Sequence, residues 1–214
     1  MLPLSDAQRA ALDAYAAELA RLNRAFNLVS PRTVREIPRL HVGHSLALAA
    51  RPFPVGATVV DWGSGGGLPA VPLAIAFPVT AFVAVDSVGK KTQAVELFAR
   101  RLALQNLMAW NGRAEAYEGP APTHSVSRAT APLADLWAWH AAAREAPPAD
   151  APALAPGAPL ASDAAWPPGL VCLKGGDLTD EVAALHAAHD GLAVVQWTLE
   201  GFGADKRVIW VGGA

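Results

Sequence analysis

Apolar residues in the first part of the chain recur at the spacing of one helix face. They stand three or four residues apart, at Leu12, Tyr15, Leu19, Leu22 and Phe26. This is the period of an amphipathic helix. Ser5 and Gln8 occupy the two positions of a capping box, in which each side chain pairs with the backbone N–H of the other residue. The pattern predicts one helix from about Asp6 to residue 26.

Two shorter helices are expected between this helix and the first strand. Ser30-Pro31 can begin one of them, because proline is tolerated in the first turn of a helix. Pro38 can begin the other, which carries His41 and His44 and stops at Arg51-Pro52.

From Thr58 onward, short apolar runs alternate with helical patterns. The predicted strands are 58–62, 81–86, 107–110, 124–127, 170–174, 192–198 and 207–211. The predicted helices are 69–77, 90–104, 131–145 and 177–189. Such alternation predicts an α/β fold in which helices cover a mostly parallel, twisted sheet. The last two strands are too close in sequence for a helical crossover, so they should pair as an antiparallel hairpin.

Composition narrows the class of protein. A length of 214 residues favours one domain at 53–214, on which an N-terminal helical extension at 1–52 is packed. Prolines diluted mainly by alanine make 146–168 an irregular loop. No run is long and apolar enough to span a bilayer, and no signal-peptide pattern opens the chain. The lone Cys172 cannot form an intrachain disulfide. We therefore expect a cytoplasmic protein with no membrane partner.

Charge alone gives no indication of nucleic-acid binding. The net charge is −2, whereas nucleic-acid-binding domains are usually basic. Short basic clusters, such as that of Arg32, Arg35 and Arg39, are more often solvated helix faces than phosphate sites.

The run Val59–Pro69 is the most informative stretch for function. It predicts a strand, a tight turn and the start of a helix. Gly63, Gly65 and Gly67 follow the strand-terminal Asp61. Glycine lets a ligand lie against bare backbone, which predicts a nucleotide-like ligand over this turn. A dinucleotide fingerprint would need a sixth-position glycine where Leu68 stands. An acid followed by Gly-X-Gly-X-Gly is instead typical of Rossmann-like S-adenosylmethionine (AdoMet) methyltransferases; the alternative is an ordinary βα turn.

A second acid ends the next predicted strand. Asp86 follows the apolar run from Ala81, at about the distance from the glycine turn that a dinucleotide fold requires. Its carboxylate can accept hydrogen bonds from both ribose hydroxyls. The alternative is an acid that simply ends a strand.

Several motifs together resemble one family, the bacterial small-subunit rRNA guanine-N7 methyltransferases (RsmG, or GidB). The matching stretches are 24–30 (Arg-Ala-Phe-Asn-Leu-Val-Ser), 61–75, 85–91 (Val-Asp-Ser-Val-Gly-Lys-Lys), 112–115 (Gly-Arg-Ala-Glu), 126–131 (Val-Ser-Arg-Ala-Thr-Ala) and 173–175 (Leu-Lys-Gly). They occur in order over nearly the whole chain. The resemblance implies a class I AdoMet methyltransferase fold with a late antiparallel strand. It also implies methylation of N7 of a guanine in the 530-loop region of 16S rRNA, within the small ribosomal subunit.

The resemblance also assigns residues to AdoMet. The expected cofactor contacts are Gly63, Gly65, Gly67, Leu68, Asp86, Ser87, Ala114, Glu115 and Arg128. Asp86 would face the ribose and the 114–115 pair the adenine. Arg128 would contact the far end of the cofactor or orient the substrate.

A second group of residues would face the RNA, namely Asn27, His41, Lys90, Arg113 and Lys174. For His41 the alternative is a satisfied structural histidine, which is common near apolar helix faces. For Lys174 it is an ordinary turn at a strand end.

The chain departs from the family pattern at two positions. Leu40 and His44 stand where the family usually has arginine and aspartate. We expect such changes to affect RNA docking more than cofactor binding. No metal site is indicated, and we expect a monomer.

Guanine N7 has a free lone pair and no hydrogen to lose, so its methylation needs no general base. This agrees with a sequence in which we identify no acid–base pair. Positioning would supply most of the catalysis, for which about 7–11 kcal/mol is available. Two other functions stay open: a class I AdoMet methyltransferase that acts on a small molecule or protein, and a non-catalytic nucleotide-binding regulator.

Overall fold

Seven strands form one sheet in this computed structural model, which describes residues 3–128, 130–144, 153–203 and 205–213. The strands are β1 (Thr58–Trp62), β2 (Ala81–Asp86), β3 (Leu107–Asn111), β4 (His124–Arg128), β5 (Gly169–Gly175), β6 (Leu192–Thr198) and β7 (Lys206–Gly213). Their order is β3-β2-β1-β4-β5-β7-β6. The strands predicted from apolar runs are all present, each within two residues of its predicted ends.

Strands β1 to β5 are mutually parallel, and β7 is antiparallel to both of its neighbours. The predicted α/β fold with a late antiparallel strand is therefore confirmed. The sequence did not predict that β7 inserts between β5 and β6. Burial explains the order, because β7 is buried from Val208 to Gly212 whereas β6 is mostly half-exposed and takes the edge.

Helices cover both faces of the sheet. They are α1 (Asp6–Phe26), α2 (His44–Leu46), α3 (Ala70–Ala76), α4 (Gly89–Arg101), α5 (Leu133–Ala143) and α6 (Thr179–Ala188). One apolar cluster packs α1, α3 and α4 against the sheet, and a second cluster packs α5 and α6 against the opposite face.

Helix α1 has the predicted bounds and capping box. The Ser5 hydroxyl accepts from Gln8 N at 3.2 Å, and Gln8 Oε1 accepts from Ser5 N at 2.9 Å. The Gln8 amide also donates to Ile75 O and Ala76 O, both at 3.0 Å. One side chain thus closes the start of α1 and the end of α3.

The segment after α1 differs from the two predicted helices. Ser30-Pro31 leads into a turn, and a 3-10 helix covers Val34–Glu36. A π-helix then covers Ile37–Gly43, before α2 and a 3-10 turn at Ala47–Ala50. Apolar periodicity gives no signal for a π-helix, whose wider turns often mark functional sites.

The part of the Ala/Pro-rich segment that the structure describes, 153–168, contains no helix or strand; residues 146–152 lie outside the described residues. Trp166 anchors it, with an indole N–H that donates to Leu48 O at 2.9 Å. The Arg51 guanidinium lies 5.6 Å from the Trp166 ring centre.

Candidate functional site

An open cavity of about 500 Å³ lies at the carboxyl ends of β1, β2 and β4. Connections leave β1 and β4 in opposite directions along the sheet, and ligands of α/β folds bind at such a switch point. Eight of the nine predicted cofactor residues line it: Gly63, Gly65, Leu68, Asp86, Ser87, Ala114, Glu115 and Arg128.

The glycine turn forms the cavity wall because side chains are excluded from it. Gly65 has φ +56°, and a Cβ there would meet no protein atom within 4 Å, so it would project into open space at the cavity. Gly63 has φ +72°, and a Cβ there would lie 2.1 Å from Thr130 Cγ2. The ninth predicted residue, Gly67, is not part of the wall; a Cβ there would meet Val71 at 2.4 Å inside the protein.

Asp86 ties the glycine turn to the end of β2. Its Oδ2 accepts from Gly65 N at 3.0 Å, and its Oδ1 accepts from Val88 N at 2.9 Å. Lys91 Nζ lies 3.4 Å from Oδ2. A carboxylate has about four acceptor positions, so Oδ1 can still accept from a ribose hydroxyl.

A second acid is buried beneath the turn. Asp61 Oδ2 accepts from Ala70 N at 3.0 Å, whereas its Oδ1 has no hydrogen-bond partner among the described residues. Burial raises the pKa of Asp61 to about 7, although the Ala70 hydrogen bond and Arg128 act in the opposite sense. The Tyr15 hydroxyl donates to Gly66 O at 2.7 Å, so α1 supports the same turn.

These features fit AdoMet. The turn offers bare backbone, Asp86 offers a carboxylate for a ribose, and two acids lie near a site that must hold a sulfonium cation. Ser87, and Ala114 and Glu115 of the short helix at Ala114–Ala116, also line the cavity.

Arg128 is the one cationic side chain of the predicted cofactor set, and it is held in place by a histidine. Its Nη1 lies 2.9 Å from His41 Nδ1, and His41 Nε2 lies 2.8 Å from Thr33 Oγ1. Burial lowers the pKa of Arg128, while Tyr15 and Asp61 raise it. Burial, and secondarily Arg128, lowers the pKa of His41 to about 4, so this imidazole is neutral.

Of the five residues predicted to face RNA, three are exposed or line the cavity and two are buried. Arg113 lines the cavity, Lys90 is exposed in the first turn of α4, and Asn27 is exposed at the end of α1. His41 is instead buried against Arg128. Lys174 is also buried, and its ammonium donates to Glu181 Oε2 at 2.7 Å and to Ala131 O. Both of these side chains are therefore largely withdrawn from solvent.

Sequence reasoning missed several residues of the wall. They are Leu28, Ser64, Gly66, Val85, Val88, Lys91, Gly112, Thr130 and Trp139. Most are direct neighbours of predicted residues and could have been included with them. Trp139 had no signal, because only the packing of α5 brings it to the cavity.

Neither a metal-binding cluster nor a membrane-spanning helix is present in the described part of the chain. Within the described ranges, no three His, Cys, Asp or Glu side chains are grouped so that they could hold a metal ion. None of the helices in those ranges has the length and apolarity needed to cross a membrane.

Solved structures with the same fold include several methyltransferases at low sequence identity. Fibrillarin from Aeropyrum pernix, solved with bound S-adenosyl-L-methionine, is 14% identical with a TM-score of 0.55, covering 80% of this chain and 74% of that chain. An rRNA methylase from Streptococcus thermophilus is 12% identical with a TM-score of 0.51, covering 80% and 93%. These likenesses confirm the fold class alone.

Sequence comparison defines the family. The family model for rRNA small subunit methyltransferase G (GidB) matches residues 8–145. Ribosomal RNA small subunit methyltransferase G of Salinibacter ruber is 50% identical over 97% of this chain and 94% of that protein. The protein of the same name from Acidovorax sp. is 34% identical over 98% and 89%. The cavity lies at the switch point of a fold that methyltransferases share, and the sequence matches are extensive. The chain belongs to the GidB family of rRNA small subunit methyltransferases.

Proposed function

We propose that this chain transfers a methyl group from AdoMet to N7 of a guanine in the 530-loop region of 16S rRNA, within the small ribosomal subunit. The observation that carries the proposal is the cavity at the ends of β1, β2 and β4, where the glycine turn, Asp86 and Arg128 meet. The family named for methylation of small-subunit rRNA supplies the substrate class.

Bound AdoMet would supply a methyl group on a sulfonium, which a ring nitrogen can accept through its lone pair. Gly63, Gly65 and Leu68 would hold the cofactor against the turn, and Asp86 would accept from its ribose. The Ala114–Ala116 helix would border the adenine. None of these residues needs to move a proton, because guanine N7 has none to lose.

Arg128 would bind the carboxylate at the methionine end of the cofactor. A guanidinium pairs with a carboxylate through two parallel hydrogen bonds. Close approach of Arg128 to the methylated ring is unfavourable, because the product base is itself a cation. Its role is therefore orientation of the cofactor, so that nucleophile, methyl and sulfur lie in line.

Exposed cations close in sequence to cavity-lining residues support an RNA substrate. Arg113 lines the cavity, and Lys90 adjoins the lining residue Lys91. Arg24, Arg32 and Arg35 are exposed in the segment that contains the lining residue Leu28. The net charge of −2 is nevertheless unfavourable for tight binding of free RNA, which depends on phosphate neutralisation. We therefore propose that the target is folded rRNA in an assembled subunit in the cytoplasm. We also propose that the enzyme acts as a monomer without metal.

The test is mass spectrometry of nucleosides from undermethylated small subunits after incubation with the protein and labelled AdoMet. We expect labelled 7-methylguanosine at one site with the wild type and with Asp135→Asn, an exposed control. The Asp86→Ala variant should give none. AdoMet binding without label in rRNA would contradict the proposal and favour a small-molecule or protein substrate.

A further inference from the structure

A chain of hydrogen bonds runs from the cavity wall into the N-terminal extension. It begins at Arg128 on β4, passes through both ring nitrogens of His41, and continues through the Thr33 hydroxyl to Ser30 O at 3.2 Å. The family resemblance assigned His41 to RNA, and the proposed chemistry gives it no role.

The chemistry of the partners fixes the tautomer of His41. A guanidinium is a donor only, so Nδ1 must be the acceptor at 2.9 Å. A neutral imidazole then carries its hydrogen on Nε2, which donates to Thr33 Oγ1 at 2.8 Å. The Thr33 hydroxyl is left free to donate to Ser30 O. Every polar atom of this chain therefore has a consistent role.

The backbone around His41 is also fixed by hydrogen bonds. The π-helix ends in a bond from His44 N to Arg39 O, and the Ser45 hydroxyl donates to His41 O at 2.8 Å. His44, one turn further on, has a ring centre 5.2 Å from that of Phe202.

Arg128 makes no ion pair within the described part of the chain. Among the described residues, no carboxylate oxygen lies within the 4.0 Å of an ion pair with it. A carboxylate there would neutralise the guanidinium, whereas a neutral imidazole orients it and leaves its charge for a ligand.

We infer that His41 is a positioning residue that aims the guanidinium of Arg128 at the carboxylate of AdoMet. The inference rests on the cofactor of the proposed function, and it assigns His41 to the cofactor side of the site. It also makes the hold on the cofactor depend on the N-terminal extension.

The test compares ligands that share adenosine but differ at the methionine end. His41→Leu should weaken AdoMet binding in calorimetry by about tenfold or more, as expected for loss of a hydrogen bond to a charged group. Binding of 5′-methylthioadenosine, which lacks the carboxylate, should not change. His41→Asn should restore much of the AdoMet affinity, because its Oδ1 can accept where Nδ1 did.

Two controls separate positioning from general damage. His44→Leu makes the same change at a histidine that is equally buried, at 8% exposure, and whose Nε2 has no hydrogen-bond partner among the described residues; it should leave AdoMet affinity unchanged. In an Arg128→Ala background, His41→Leu should have no further effect on AdoMet.

Equal weakening of both ligands by His41→Leu, or no weakening of either, would overturn the inference. Nitrogen-15 NMR gives a second readout, since the ring of His41 should carry its proton on Nε2; the other tautomer would also overturn it. A wild-type protein that fails to bind AdoMet would overturn the proposed function itself. A wild type that binds AdoMet but leaves rRNA unlabelled would contradict only the proposed substrate.

Discussion

Gly65 lies where a side chain would project into the cavity and meet no protein atom within 4 Å. A substitution there has two separable effects. The backbone is strained because φ is +56°, and the new side chain occupies open space in the cavity. Gly56 offers a matched control, since it has φ +79°, has equally open surroundings and lies in an exposed turn away from the cavity.

Gly65→Ala and Gly56→Ala should each cost about 1–2 kcal/mol of unfolding free energy, because alanine is strained at positive φ. Only Gly65→Ala should weaken AdoMet binding, by about tenfold or more, because its methyl group occupies the cofactor's space. Urea unfolding and calorimetry measure the two effects. Equal AdoMet affinities for both variants would show that Gly65 does not contact the cofactor.

Single residues also mark the limits of sequence reasoning about the site. Asp86 was found because a strand-terminal acid keeps a fixed place relative to the glycine turn. Lys174 was assigned to RNA from the family resemblance, with an ordinary turn at a strand end as the alternative, yet its ammonium turns inward to Glu181 on α6. The direction of a long flexible side chain depends on which helix packs beside it, and no local pattern carries that information.

Among the elements, helix α1 was predicted from its local sequence, but its contact with the end of α3 was not. Its capping box is visible in the sequence, but the donation from Gln8 to the last carbonyls of α3 is not. Such carbonyls lack partners within their own helix, and here a side chain from another helix satisfies them.

Ser5→Ala should destabilise the protein by about 1 kcal/mol, the usual effect of losing an N-cap side chain. Gln8→Ala should cost more, about 1–3 kcal/mol, because it also leaves Ile75 O and Ala76 O without their donor. Chemical denaturation of the two variants provides the comparison. A larger loss for Ser5→Ala would mean that the contact between α1 and α3 contributes little.

At the scale of the whole molecule, buried histidines from several elements link stability to pH. Burial lowers the pKa of His41, His44 and His124 to about 4 and that of His140 to about 3, from 6.5. The unfolded chain therefore binds protons at these sites before the folded protein does. Asp61 acts in the opposite sense, because its pKa is raised to about 7.

Stability should therefore fall as pH decreases from about 7 to 5. Each histidine contributes a loss on the order of 1–2 kcal/mol over this range, and Asp61 offsets roughly one of them. Urea unfolding at several pH values measures the slope. A stability that is constant or rises toward pH 5 would contradict the buried, neutral state of these side chains.

The sequence by itself determined the strands, the class of fold and about half of the residues that line the cavity. Apolar periodicity, helix capping and glycine turns depend on residues that are close in sequence. For that reason β1 to β5, the glycine turn at Gly63 and the strand-terminal Asp86 could be predicted. Only the tertiary structure decided the place of β7, the π-helix at Ile37–Gly43 and the pairing of His41 with Arg128. Those features depend on contacts between residues far apart in sequence, 87 positions for that pair. Burial selects such contacts only when all the elements have packed.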